Sequence, residues 1–313
     1  MGFPLVSVVI ATWNRREDVL VTVESVYDQA YKNVEVVVVD NGSTDGTVQA
    51  LHKLYPAVRV VALDRNLGAA GGRNAGIDIA RGDIIFCLDS DASPGQNTLC
   101  NLVYKFQSEP KLGVINSKIV NADSHQIDHF AGWVYSEKDR EDQDKEFLSY
   151  SFSEGGCAIR KEVFDKVGMF WESLFFGGEG LDYSMRVWDA GYKIVYFPQA
   201  VIYHRVSQQR RVAGAQRDCL SLKETLYVYL VRYPWWMLIV FAPLKIGATL
   251  VRATRKRYLR QMLGALLDVV RQLPSLWTQR RPISNQTARH YLRLQREHGP
   301  LAWDLVSWLK YKT

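Results

Sequence analysis

The stretch VEVVVVDNGSTDGT, residues 34–47, decides the fold of this 313-residue chain. Its first half is a nearly continuous run of valines, which is typical of a strand covered on both faces of a parallel sheet. Asp40 ends that run, and Gly42 permits a tight turn into a helix. The stretch therefore predicts a β-α unit that presents an acid at the carboxyl end of its strand.

Other segments repeat this alternation of buried strand and helix. The additional strands are predicted at residues 5–12, 58–63, 83–91 and 112–120. Repeated β-α-β units imply a mainly parallel sheet with right-handed crossovers, flanked by helices. Residues 121–160 are mixed and polar and are predicted to form short strands and loops. They are followed by a helix at 181–190 and two short strands at 192–197 and 200–204. The predicted fold class is α/β and Rossmann-like.

The C-terminal third has a different character. From Arg205 onward there are 20 Lys and Arg against 5 Asp and Glu, which leaves 19 basic and 28 acidic residues in the rest of the chain. Residues 217–272 have the composition of successive helices rich in Leu, Tyr, Trp and Arg. This asymmetry indicates contact with an anionic surface, either nucleic acid or phospholipid.

Phospholipid is the favoured partner, because no signature of a nucleic-acid-binding fold accompanies the charge. The uncharged run at residues 233–244 is 12 residues long, whereas a bilayer span needs about 20. We therefore expect interfacial helices with Trp235 and Trp236 at headgroup depth. Basic side chains would face anionic lipid: Arg252, Arg255, Lys256, Arg257 and Arg260. The alternative is a helical subdomain packed on the remainder of the chain.

The four cysteines show no C-x-x-C pairing, which favours reduced thiols and a cytosolic compartment. The early apolar segment VSVVIA is short and lacks a preceding basic region, so it is interpreted as a strand and not as a secretory signal. The expected location is cytoplasmic, at the inner face of the membrane.

Polar residues at the strand ends are the first candidates for a site, because ligands of doubly wound sheets bind there. The first strand ends near Thr12, Asn14 and Arg15, and the fourth ends in Asp89, Ser90 and Asp91. Two carboxylates this close repel each other unless a cation lies between them, and oxygen ligands suit Mg²⁺ or Mn²⁺ bound to phosphate. The alternative is an acidic turn in solvent.

Two other segments offer donor-site candidates. The glycine-rich stretch NLGAAGGRNAG, residues 66–76, lacks the P-loop pattern but places Arg73 and Asn74 just before a helix, where a phosphate could bind. The alternative is that Arg73 only caps or solvates the loop. His204 follows a strand and is either structural or a metal ligand.

The stretch FFGGEGLDYSMR, residues 175–186, places Glu179 and Asp182 on one helix face. Acids at a helix start can be simple capping groups. They can also supply the carboxylate that removes a proton from an attacking hydroxyl.

Seven motifs in order resemble the family 2 glycosyltransferases of the GT-A fold, and most closely their rhamnosyltransferase-like branch. They are SVVIATWNR, VDNGSTDGT, NLGAAGGRNAGI, CLDSDA, EGGCAIRKEVFDKVGMF, FFGGEGLDYSMR and GYKIVYFPQAVIYH. The resemblance covers roughly residues 5–205. It implies an inverting transferase that moves a sugar from a nucleotide diphosphate to a hydroxyl of a glycan or lipid-linked acceptor, in the synthesis of bacterial surface polysaccharides.

The resemblance assigns a role to each motif residue. Donor-binding residues would be Thr12, Asn14, Arg15, Asp40, Gly42, Arg73, Asn74, Asp89 and Ser90, with Asp40 favouring a uracil or thymine base. The metal, Mg²⁺ or Mn²⁺, would be held by Asp91, Asp89 and His204. The acceptor side would comprise Gly155, Gly156, Trp171 and Gly178. The implied GT-A catalytic domain is residues 1–205, with its nucleotide-sugar part at about 1–120 and its acceptor part at about 121–205, and residues 206–313 form the basic helical region.

One position departs from the family. Many members have E-D-x-D where this chain has Glu179-Gly180-Leu181-Asp182, and the second acid usually serves as the base. We predict that Glu179 takes that role, with Asp182 as second choice. The alternative is a non-catalytic glycan- or nucleotide-binding relative. A nucleotidyltransferase is disfavoured because the N-terminal strand is not followed by a glycine-rich phosphate loop.

Overall fold

The structure is a computed structural model that describes residues 2–128, 133–136, 141–175, 177–205 and 214–299. Its strands are β1 (Val6–Thr12), β2 (Val34–Asp40), β3 (Arg59–Ala62), β4 (Ile84–Asp89), β5 (Ala92–Pro94), β6 (Leu112–Asn121), β7 (Phe147–Leu148), β8 (Gly156–Arg160) and β9 (Lys193–His204). Its helices are α1 (Arg16–Tyr27), α2 (Thr47–Leu54), α3 (Gly68–Ile79), α4 (Thr98–Ser108), α5 (Lys161–Val167), α6 (Glu179–Asp189), α7 (Gly214–Arg232), α8 (Trp235–Arg255), α9 (Leu259–Thr278) and α10 (Asn285–His298).

A single sheet carries the first half of the fold, in the order β3-β2-β1-β4-β8-β6-β9-β5, with β7 paired to β9. The strands β3, β2, β1 and β4 are parallel to one another, as the sequence predicts. Strand β8 enters antiparallel between β4 and β6, and β9 then runs parallel to β6. The fold is therefore α/β, with a sheet that is parallel from β3 to β4 and mixed overall.

The valine-rich strands are buried on both faces, as their composition indicates. Val36 and Val38 pack in a cluster with α1 and α4, while Val37 faces a second cluster that contains residues of α3, α5 and α6. This alternation follows from the two-residue period of a strand. It places helices on both sides of the sheet and leaves the strand ends for the site.

The two predicted strands before His204 are in fact one strand, β9. Phe197 and Val201 pair with the consecutive residues Ser117 and Lys118 of β6, so the intervening residues form a bulge. The bulge explains why Pro198 interrupts the sequence pattern without ending the strand, since proline is tolerated at such irregularities.

The basic C-terminal helices share a hydrophobic core with the N-terminal α/β part of the chain. Tyr150, Leu174 and Met185 pack in one cluster with Leu226 of α7 and Tyr291 of α10. The packed subdomain that the sequence left as an alternative is thus observed for the described residues 214–299. Helix α10 was not predicted.

Among the described residues, one helix, α8, has the length and apolar composition of a membrane span. It is 21 residues long, so it extends well beyond the uncharged run at 233–244 from which the sequence argument disfavoured a span. Length and composition alone also admit a helix that lies in the interface.

Candidate active site

The ends of β1 and β2 hold two buried polar atoms that the described protein does not satisfy. Thr12 and Asp40 lie opposite each other in the parallel strands β1 and β2. Thr12 Oγ1 and Asp40 Oδ1 have no hydrogen-bond partner among the described residues. The other oxygen of Asp40 accepts from the Ser43 amide at 3.0 Å. Because buried polar atoms are nearly always paired, this pair of atoms points to a ligand that offers a donor.

The loops that follow these strands are held to each other. Asn14 adopts a positive φ of 51°, and its Oδ1 accepts from the Thr44 amide at 2.8 Å. Its own amide donates to Ser43 Oγ at 2.8 Å. Gly42 also has a positive φ, 78°, and its backbone lies close to that of Arg65. Asn14 and Gly42 therefore fix the conformation of the loops at the carboxyl ends of β1 and β2.

Asp91 lies in a buried chain of ionisable groups. One of its oxygens accepts from Arg15, the other lies 3.4 Å from His204 Nε2, and His204 Nδ1 lies 2.7 Å from Asp128 Oδ2. Burial disfavours ionisation of Asp91, but His204 and Arg15 outweigh it and lower the pKa of that carboxyl. Burial likewise opposes protonation of His204, but hydrogen bonds with Asp128 and Asp91 raise its pKa to about 9.

Two of the three predicted metal ligands come together. Asp91 and His204 converge, and the Asp128 carboxylate behind the imidazole is the outer partner that orients metal-binding histidines. Asp89 points elsewhere, and no group of three acidic, histidine or cysteine side chains suitable for a metal occurs in the described parts of the chain. The donor set fits Mg²⁺ or Mn²⁺, which take few protein ligands and keep phosphates and waters.

Asp89 faces the glycine-rich helix instead. Arg73 Nη2 donates to Asp89 Oδ1 at 2.8 Å, and the Asp89 carboxylate lies directly against Gly155, where any Cβ would collide with it. Burial would lower the pKa of Arg73, but the negative charges of Asp89, Glu179 and Glu154 raise it. Arg73 is thus the shared counter-ion of acids at the end of β4, just before β8 and at the start of α6.

Two further predicted donor residues have observed structural roles. Asn74 donates to the Phe170 carbonyl at 2.9 Å and to Glu172 at 3.0 Å, so its amide braces the segment before α6. The Ser90 carbonyl accepts from Thr22 at 2.8 Å. Contact of either side chain with the donor stays a prediction.

The acids of α6 have opposite environments. Asp182 is fully buried, and its two oxygens accept from Arg186 at 2.6 Å and from Arg232 at 2.6 Å. Its carboxylate is therefore engaged in ion pairs, which argues against the second choice for the base. Glu179 is 2% exposed. Burial, and then the charge of Glu154, raise its pKa to about 8 against the opposing effect of Arg73.

The predicted acceptor residues border α6 and the C-terminal helices. Trp171 Nε1 donates to Gln279 at 3.0 Å, and Gly178, with a φ of 90°, is the residue before α6. Gly156 has no room for a side chain because Ile119 and Ile202 fill the space. Glu224 of α7 accepts from the Phe175 amide at 3.1 Å. Helix α7 therefore forms part of this side of the site.

Sequence reasoning missed Glu154, Asp128, Arg232 and Glu224. Glu154 is the first residue of the EGGC motif. The sequence therefore shows its position but not its contact with Gly180. The other three reach the site from segments without a motif. Only the fold brings them there.

Comparisons with known proteins show the family and the fold of this chain. The model of the family described as "Glycosyl transferase family 2" matches residues 7–168. The chain is 36% identical over 107 residues to the UDP-Glc:alpha-D-GlcNAc-diphosphoundecaprenol beta-1,3-glucosyltransferase WfaP of Escherichia coli, covering 34% of this chain and 42% of that protein. It is 36% identical over 130 residues to the succinoglycan biosynthesis protein ExoO of Rhizobium meliloti (strain 1021), covering 41% and 37%. The matches span less than half the length of these relatives.

A solved structure of GalNAc-T7 with UDP, GalNAc and Mn²⁺ superposes with a TM-score of 0.62 at 20% identity, covering 78% of this chain and 51% of that one. This likeness shows the GT-A fold predicted from the motifs. The rhamnosyltransferase-like branch stays a prediction. With its fold and strand-end residues in the arrangement described, and with half of its length matched, the chain belongs to glycosyl transferase family 2.

Proposed function

We propose that the protein is an inverting glycosyltransferase that moves a sugar from a nucleotide-diphosphate donor to a hydroxyl of a glycan or lipid-linked acceptor, in bacterial surface polysaccharide synthesis. The observation that carries this proposal is the placement of Arg73 among Asp89, Glu154 and Glu179. One guanidinium there joins the donor end of the sheet to the acids of the acceptor side, so both substrates would meet at a single charge cluster.

The nucleotide end supports the donor class. The unpaired Asp40 oxygen would accept from a base N–H, which uracil and thymine offer, so UDP- and dTDP-sugars are favoured. The names of two similar proteins agree, since WfaP is described as using UDP-Glc and GalNAc-T7 was solved with UDP. Arg15 would contact a phosphate once it leaves Asp91.

Asp91 and His204 would hold a divalent cation, Mg²⁺ or Mn²⁺, and Asp128 would orient the imidazole. When bound, the cation neutralises charge on the leaving diphosphate. The acceptor O–H transfers its proton to Glu179, its oxygen bonds to the anomeric carbon, and the bond from that carbon to the diphosphate breaks. A base with a pKa of about 8 is well matched to this proton transfer near neutral pH.

The test is a panel of UDP-, dTDP- and GDP-sugars with the full chain, measured by thermal shift and by release of nucleoside diphosphate, with Mn²⁺, Mg²⁺ or chelator. We expect stabilisation and turnover only with metal and a UDP- or dTDP-sugar, and loss of turnover in Asp91→Asn. The matched control is Asp123→Asn, an exposed acid outside the site. Absence of both binding and turnover across the panel would refute the proposal.

A non-catalytic glycan- or nucleotide-binding relative is the second candidate, since Gly180 replaces the usual acid. Binding of nucleotide without turnover in the panel would favour it.

We further propose that α8 and α9 place the enzyme on the inner face of the cytoplasmic membrane. Large apolar side chains are exposed on both helices: Trp235, Trp236, Ile239, Val240, Leu244 and Val251 on α8, and Leu259, Leu263, Leu267, Val270 and Trp277 on α9. The two faces meet where the rings of Trp235 and Trp277 lie 5.5 Å apart, and Arg280 lies over Trp235. The lipid-linked acceptor in the name of WfaP makes this contact useful.

Flotation with liposomes containing anionic phospholipid tests this proposal. We expect co-flotation at low salt that weakens with added salt and in a Trp235→Ser/Trp277→Ser double variant. Tyr104→Ser, which removes an exposed aromatic from α4, should float like the wild type. Failure of the wild-type protein to bind at low salt would refute it.

A further inference from the structure

Position 180 has no space for a side chain. A Cβ on Gly180 would collide with the carbonyl oxygen of Phe152 and would lie 2.6 Å from Glu154 Oε1. The Gly180 amide donates to that same Glu154 oxygen. The space beside the second residue of α6 is therefore filled by a carboxylate from the segment that leads into β8.

Glu154 is also the most accessible acid of this cluster on the acceptor side. It is half-buried, whereas Glu179 is 2% exposed and Asp182 is fully buried. Its Oε1 accepts from the Gly180 amide, and its carboxylate also accepts from its own backbone amide. A carboxylate accepts several hydrogen bonds, so Glu154 retains capacity for a ligand.

The position of Glu154 connects donor and acceptor elements. The next residue, Gly155, accepts from the Asp89 amide at 3.1 Å, and Asp89 pairs with Arg73. Glu154 thus stands where β4, β8 and α6 meet, and its charge acts on both Arg73 and Glu179.

We propose that Glu154 is a second carboxylate of the acceptor site, which accepts a hydrogen bond from the acceptor beside the hydroxyl that Glu179 deprotonates. For a sugar acceptor the partner is a neighbouring hydroxyl, so the site selects acceptors with adjacent hydroxyls. For water as acceptor, it is the second O–H of the attacking molecule. Glu154 only accepts this hydrogen bond, and the transferred proton goes to Glu179. Burial raises the pKa of Glu154, and the charge of Arg73 opposes that rise. This inference rests on the proposed transferase activity.

Hydrolysis of the UDP-sugar that the wild type turns over, with water as acceptor, provides the test. Glu154→Gln keeps an oxygen for the Gly180 amide but removes the charge. A charge-assisted hydrogen bond is worth about 1.5–3 kcal/mol, so we expect a roughly 10- to 100-fold lower kcat, while the Kd for UDP with Mn²⁺ stays unchanged. Glu162→Gln, an exposed glutamate in the first turn of α5, is the matched control.

The Glu154→Ala variant distinguishes a structural role of Glu154, which holds the Gly180 amide at the start of α6, from its proposed role in the reaction. If Glu154→Gln turns over like the wild type and only Glu154→Ala fails, Glu154 merely anchors α6 and the inference is wrong. If the wild type does not bind nucleotide sugars, or binds them without turnover, the proposed function is wrong. The inference about Glu154 is then wrong as well, because it rests on that function. A drop in kcat for Glu154→Gln with intact UDP binding supports the inference alone.

Discussion

Arg232, the last residue of α7, donates from Nε to Asp182 Oδ1 at 2.6 Å and so joins the basic helices to the helix that begins at Glu179. Both side chains are buried or nearly so. Arg232→Ala would leave part of the Asp182 charge uncompensated, and we expect a loss of about 3 kcal/mol in the free energy of unfolding, measured by urea denaturation.

The comparison variant is Arg271→Ala on α9, whose ion pair with Asp268 is largely exposed. It should change stability by less than about 0.5 kcal/mol. Equal effects of the two substitutions would show that the Arg232 contact contributes little.

Glu179 should make stability depend on pH. Its pKa rises from an ordinary 4.5 to about 8 in the folded chain, so between these values the native state holds a proton that the unfolded state releases. Stability contributed by this group is therefore present at low pH and lost as pH rises through about 8. The Tm of Glu179→Gln minus the Tm of the wild type should therefore be larger at pH 9 than at pH 5. Parallel Tm profiles for variant and wild type would contradict the raised pKa.

The unpaired oxygen of Asp40 should determine nucleotide affinity. Asp40→Asn retains one oxygen for the Ser43 amide but turns an amino group toward the position of the base. We expect a roughly 10- to 100-fold weaker Kd for UDP by calorimetry, because a hydrogen bond to a charged group is worth about 1.5–3 kcal/mol. Asp123→Asn should bind UDP normally. An unchanged Kd in Asp40→Asn would place the base elsewhere.

Gly180→Ala should be destabilising although alanine is the better helix former. The new methyl group would collide with the Phe152 carbonyl and with Glu154, and overpacking of this kind costs about 1–3 kcal/mol. Gly247→Ala in α8 meets nothing within 4 Å and should be neutral or stabilising by up to about 1 kcal/mol. Urea denaturation of both variants makes the comparison, and similar behaviour would mean that the Gly180 site can relax.

Asp128 should act on the metal through His204. Asp128→Asn removes the carboxylate that faces His204 Nδ1 at 2.7 Å, and loss of such an outer partner typically weakens metal binding about 10- to 100-fold. Mn²⁺ titration followed by electron paramagnetic resonance measures this directly. Unaltered Mn²⁺ affinity would show that His204 is not a ligand.

The sequence predicted the elements whose pattern is local. The valine run of β2 predicted a buried strand because burial on both faces leaves a signature within a few residues. That the acids at the end of β4 bind a ligand stays a prediction. Short strands and loops were predicted for residues 121–160, where β8 lies, but the antiparallel insertion of β8 between β4 and β6 leaves no such signature. The contacts of Glu154 with Gly180 and of Asp128 with His204 join residues 26 and 76 positions apart. Such pairings depend on packing, and no periodicity in the chain encodes them.

The hydrogen bond from the Asp89 amide to the Gly155 carbonyl has a consequence for engineering. Because of this bond, the distance between Asp89 and Glu154 depends on two neighbouring backbone segments, which lie about 4.8 Å apart as in any sheet. The spacing of Asp89 and Glu154 is then fixed by the backbone and not by side-chain packing. Substitution libraries aimed at the proposed acceptor site should therefore leave the β4–β8 ladder untouched.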